Sequence, residues 1–104
     1  MELKTIPPRE LSQYQKEEHL TLIDLRDPEE YRQHHIPSAI NLPYEKLEQN
    51  PFLLSRRQVY LFYCQRGNQS FLLAKKFHMK GYHVLNLYGG IEAYDYYTKH
   101  FTSQ

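Results

Sequence analysis

The chain contains no tryptophan, only one cysteine in 104 residues, and no excess of charge of either sign. Each shortage excludes something. One cysteine cannot close an internal disulfide, so the stapled domains of secreted proteins are ruled out. Thirteen Lys and Arg against twelve Asp and Glu leave a formal charge of +1, and no basic run is long enough to track a phosphate backbone, so nucleic acid is not an expected partner. No apolar stretch approaches the ~20 residues that span a bilayer. The opening residues "MELKTIPPRE" have no apolar signal-peptide core. The expectation is a cytoplasmic, monomeric protein with a reduced thiol and no membrane contact. The length suits one domain over residues 1–104, since two halves could not each bury a sufficient core.

What is present is an alternation of two periods. Strands are expected at about Leu3 to Ile6, Thr21 to Leu25, Ala39 to Leu42, Val59 to Tyr63 and Tyr82 to Leu87. Helices are expected from Pro8 to about Lys16, from Pro28 to Gln33 with Asp27 as cap, and from Pro43 to about Glu48 before Pro51. Two more are expected from about Ser70 up to Gly81, and from Ile91 to about Lys99 after a Gly89-Gly90 turn. Strand and helix alternating throughout predict an α/β domain with a mostly parallel sheet and helices on both faces. "VYLFY" at 59–63 is apolar or aromatic at every position, as a strand covered on both faces must be.

Cys64 follows that strand directly, in a strand-to-helix loop, the region where open α/β sheets bind ligands. Gly67 and Asn68 readily accept positive φ, and Ser70 can cap the next helix. Such a loop can curl its N–H groups inward into an anion-binding concavity, and the anion can be a thiolate. Two readings stand open here: a reactive cysteine, or a small hydrophobe closing a strand.

Four stretches in order carry a resemblance. "LIDLRDPEEY" at 22–31 reads as a strand, then Asp-x-Arg and a helix start; "HIPSAINLP" at 35–43 has Ser38 where glycine is usual; "YLFYCQRGNQS" at 60–70 is a C-x-x-G loop; "GYHVLNLYGGIEAY" at 81–94 has Tyr94 where Trp is usual. Together, over about residues 20–94, they resemble the rhodanese-like, or sulfurtransferase, domains. The resemblance implies a five-stranded, mostly parallel sheet and no cofactor or metal. It also implies transfer of sulfane sulfur from a small donor, such as thiosulfate or glutathione persulfide, through a Cys64 persulfide to a thiol or protein acceptor. It favours the reactive reading of Cys64, with the backbone of Gln65, Arg66, Gly67, Asn68, Gln69 and Ser70 surrounding the sulfur.

The remaining candidates carry alternatives. Arg66 can attract an anionic donor or be an exposed cation. Gln69 stands where the family often has Arg or Thr, so a doubly charged donor would be held less firmly. Asp24 and Arg26 either support the site or form a structural ion pair between loops. His35 is expected to hold backbone, and the neighbouring His34 and His35 side chains diverge too readily to form a metal site. The Tyr94, Tyr96 and Tyr97 cluster and Tyr88 can line a partner surface or serve packing. A rhodanese-like binding or regulatory module without turnover is the alternative function. A cysteine phosphatase requires C-x5-R, and Ser70 occupies the arginine position. A thiol redox enzyme would require a second cysteine.

Overall fold

The computed structural model describes residues 3–101; residues 1, 2 and 102–104 of the expected single domain lie outside the described residues. Five strands form one sheet: β1 Lys4–Ile6, β2 Thr21–Asp24, β3 Ile40–Asn41, β4 Val59–Tyr63 and β5 His83–Leu87. Their order is β1-β5-β4-β2-β3, and every neighbouring pair is parallel. The helices are α1 Leu11–Glu18, α2 Pro28–Gln33, α3 Tyr44–Gln49, α4 Asn68–Met79 and α5 Gly90–Phe101.

The side-chain alternation of β4 explains why the sheet is covered twice. Tyr60 and Phe62 point into a core completed by Leu47 of α3 and Leu73, Ala74 and Phe77 of α4. Leu61 and Tyr63 point the other way, into a core with Leu11 of α1 and Ile91 of α5, against which Tyr31 of α2 packs. Leu61, Phe62 and Tyr63 are fully buried. Each such side chain contributes about 1.5–3 kcal/mol by leaving water, so the middle strand is the most firmly fixed, and Cys64 hangs from its end.

Boundaries differ from expectation where a turn competes with a regular element. The first helix opens as a separate 3-10 turn at Pro8–Glu10 and continues beyond Lys16 to Glu18, ending at His19 in the left-handed region. The third strand is reduced to two residues, because the β2–β3 pairing spans only Ile23 with Ile40 and Asp24 with Asn41. Asp27 forms the expected helix cap, a capping box with Glu30. Ser70 does not cap α4. The helix starts two residues earlier, behind Gly67 at φ +100°, and Ser70 lies inside its first turn, fully buried. Only a residue without a Cβ fits the Gly67 position: a Cβ there would lie 2.9 Å from the backbone nitrogen of Gly89.

Candidate active site

The register brings the carboxyl ends of the three central strands together: Asp24 pairs with Tyr63, and Phe62 with Asn86. Cys64 leaves β4 at this edge with 6% of its surface exposed. Its Sγ accepts the N–H of Gly67 at 3.1 Å and the N–H of Ser70 at 3.2 Å. The Ser70 hydroxyl oxygen lies 3.4 Å from the sulfur. Both amides belong to the start of α4, whose free N–H groups and dipole favour negative charge at this point. The expected cradle of six residues is narrower than anticipated, because Gly67 and Ser70 alone among them supply these contacts. Gln65, Arg66, Asn68 and Gln69 instead line an open depression of about 410 Å³ over Cys64, together with Arg26, Asp27 and Glu30.

The loop is held from behind by α5. The N–H of Ile91 donates to the carbonyl of Cys64 at 2.9 Å, and that of Glu92 to the carbonyl of Gln65 at 3.1 Å. The approach demands glycine: a Cβ on Gly90 would lie 2.5 Å from the Cys64 carbonyl oxygen. Above this backbone contact, the Gln65 amide donates to Glu92 at 3.0 Å, and Arg66 Nε lies 3.5 Å from the same carboxylate oxygen. The Gln65 amide, and then the Arg66 guanidinium, hold the Glu92 carboxyl below the usual carboxylate range.

Asp24 and Arg26 form a tie across the site's flank. Asp24, fully buried, accepts the backbone N–H of Arg26 at 2.9 Å, its guanidinium at 3.0 Å and the phenol of Tyr63 at 2.7 Å. Arg26 continues to the carbonyl of His34 and, at 3.3 Å, to the side-chain oxygen of Gln65. Burial works against the Arg26 charge, but the Asp24 carboxylate outweighs it and leaves the guanidinium above its ordinary value. Burial, reinforced by Asp24, pushes the Tyr63 phenol far above the ordinary tyrosine value. The pair thus has the geometry of a structural ion pair that also borders the depression.

The histidines diverge: His34 pairs with Asp95 at 2.8 Å, while the His35 ring bonds the Tyr31 carbonyl at 2.7 Å and stacks on the Tyr31 ring. Tyr94 packs against the core, whereas Tyr88 and Tyr96 are exposed. Sequence reasoning missed Asn86. It is 3% exposed in β5, its side-chain oxygen accepts the Ser70 hydroxyl at 2.6 Å, and its amide reaches the Gly67 carbonyl at 3.5 Å. A lone Asn within the apolar run "VLNL" was the available signal, because strands are depleted in asparagine and a buried amide requires partners. The role of Glu92 was missed as well.

Comparison with known proteins follows the same outline. Residues 7–96 match the family model described as Rhodanese-like domain. The putative sulfurtransferase YtwF of Bacillus subtilis is 30% identical over 95% of this chain and 97% of its own length. The thiosulfate sulfurtransferase GlpE of Coxiella burnetii is 28% identical over 90% of this chain and 89% of that protein. A rhodanese-related protein of Thermoplasma volcanium superposes with a TM-score of 0.82 at 26% identity, covering 89% of this chain and 91% of that one. Several other curated relatives are longer, and the chain spans about half of their length or less.

Proposed function

The chain belongs to the rhodanese-like domain family, and from that premise we propose that it transfers sulfane sulfur through Cys64. One observation carries the reading: Sγ sits against two N–H donors at the start of a twelve-residue helix, at the floor of an open depression. N–H donors are the partners that a sulfur anion formed during transfer would use, and the site supplies two of them.

The Cys64 thiolate attacks the outer sulfur of the donor. A new S–S bond forms, the donor's own bond to that sulfur breaks, and sulfite or a thiolate leaves with the electron pair. A thiol, a protein acceptor or cyanide then attacks the outer sulfur of the persulfide, and the pair returns to Cys64. As a thiolate the nucleophile has no proton for a base to remove, and the contacts to Sγ are two amides and a hydroxyl. The depression carries Arg26 and Arg66 beside Asp27 and Glu30. Both arginines already face carboxylates. That balance suits a low-molecular-weight persulfide at least as well as the doubly charged thiosulfate. The proposed setting is a reducing, cytoplasmic compartment, in keeping with the single cysteine. Among the described residues, no helix is long and apolar enough to cross a membrane.

Incubation with thiosulfate or glutathione persulfide should add one sulfur atom to the intact mass, and Cys64→Ser should abolish the gain. No gain from either donor, with no thiocyanate formed on adding cyanide, overturns turnover and leaves a binding module.

A further inference from the structure

Behind Cys64 lies a buried polar chain that the transfer chemistry does not itself require. Ser70 and Asn86 are 0% and 3% exposed, on the face of the sheet covered by α4, while Leu85 and Leu87 on either side of Asn86 point into the other core. Ser70 has one hydroxyl hydrogen and three acceptors within reach: Asn86 Oδ1 at 2.6 Å, the Gly67 carbonyl at 3.2 Å and Cys64 Sγ at 3.4 Å. A buried polar group left without a partner is costly, so where that hydrogen goes is a question of energy.

With Cys64 as a thiol, every hydrogen has a place. The S–H points at Ser70 Oγ, the hydroxyl donates to Asn86 Oδ1, and Asn86 Nδ2 points at the Gly67 carbonyl. The donors run in one direction, from sulfur to main chain. Loss of the thiol proton breaks this arrangement, because the sulfur can then only accept. A hydroxyl kept on Asn86 would aim an oxygen lone pair at a buried anion. A hydroxyl turned to the sulfur would leave Ser70 Oγ and Asn86 Oδ1, two acceptors, 2.6 Å apart with no hydrogen between them. A half-turn of the Asn86 carboxamide resolves both conflicts. Nδ2 then donates to Ser70 Oγ, and the serine hydroxyl donates to the sulfur. The displaced Oδ1 then takes the place of Nδ2, 3.5 Å from the Gly67 carbonyl, and the pair of oxygens needs a water from the open groove that Asn86 lines with Thr5, Gly67 and Tyr88.

We propose that Ser70 and Asn86 form a hydrogen-bond relay whose direction reverses when Cys64 loses its proton, with Asn86 a positioning residue that acts through Ser70 to give the sulfur a third donor. The inner sulfur of a persulfide also carries no hydrogen, so the reversed relay serves both charged states of the cycle. The inference rests on Cys64 being the nucleophile of the reading above.

The test follows the thiol alone. Alkylation of Cys64 by iodoacetamide is measured across pH in the full-length protein and in Ser70→Ala, Asn86→Leu and the double variant. Removing the third donor should slow alkylation at neutral pH about tenfold in Ser70→Ala, the ratio that one hydrogen bond to an anion gives. Asn86→Leu should slow it severalfold, and the double variant should be no slower than Ser70→Ala. Equal slowing by Asn86→Leu in both backgrounds, or no slowing by Ser70→Ala, overturns the relay. If Asn86→Leu does not fold, the unsubstituted protein still decides the matter. The side-chain NH2 signals of Asn86 in a 15N spectrum should shift in step with thiolate absorbance as pH rises, and should stay fixed in Ser70→Ala. Signals that do not move through the thiolate transition overturn it equally. Sulfur loading is not read, so a thiol that alkylates as expected but never gains sulfur from a donor counts against the proposed function and not against the relay.

Discussion

Of the helices that begin at the carboxyl edge of the sheet, α4 and α5 spend their free N–H groups on different targets. α4 aims those of Gly67 and Ser70 at the sulfur of Cys64, whereas α5 aims those of Ile91 and Glu92 at the carbonyls of Cys64 and Gln65. The carbonyls are neutral main-chain acceptors whose need never changes. The sulfur is an acceptor whose strength depends on its charge. The same terminus chemistry therefore gives rigidity in one case and reactivity in the other. The difference implies that damage to α5 should register first as instability, and damage to α4 first as lost nucleophilicity.

Gly90→Ala should have the largest effect. Its Cβ would lie 2.5 Å from the Cys64 carbonyl oxygen at φ +65°, costing about 3 kcal/mol or more. Urea denaturation measures this, and an unchanged midpoint would show that α5 does not clamp the loop. Gly67→Ala, at φ +100° with its Cβ 2.9 Å from the Gly89 nitrogen, should cost about 1–3 kcal/mol. Its iodoacetamide reactivity should fall further than its stability. The reverse order would remove the distinction between the helices. Glu92→Gln sharpens the comparison at the surface: releasing Arg66, whose side chain is 78% exposed, should raise kcat/KM for thiosulfate over glutathione persulfide about twofold. The smallest effect is that of acid. A carboxyl depressed in the folded state adds stability above its unfolded value, and that stability fades as pH falls through the folded value. The contribution of Glu92 is therefore present at neutral pH and disappears only below its ordinary value of 4.5. The melting-temperature difference between Glu92→Gln and the parent should vanish there.

Local signals made much of this legible. The apolar run of β4 announced the middle strand at both of its ends, Asp27 and Pro28 announced the start of α2, and the loop composition placed Cys64 at a strand-to-helix junction. What escaped was decided by residues far apart in the chain. Ser70 looked like a cap because caps are local, but Gly67 takes that position once Gly89 must pack against it. The Gly89-Gly90 pair read as a turn, and its closeness to the Cys64 carbonyl arises only from the sheet order that sets β5 beside β4. Asn86 became meaningful only when Ser70 proved to be buried opposite it. Ser38 is an intermediate case: the missing glycine was visible, and its backbone at φ +75° shows the conformation that glycine would have eased.

The clamp on the two carbonyls after β4 also fixes how cargo can leave. A swinging arm, free to rotate about its own peptide, could carry a group from one station to another. Cys64 and Gln65 have both peptide oxygens tied to α5, and the Cys64 sulfur is tied to α4. Whatever Cys64 holds is therefore moored at one berth. Under the proposed transfer, each acceptor would have to come to the depression and reach down into it with a slender nucleophile, so a protein acceptor would need a protruding side chain or tail and not a flat face.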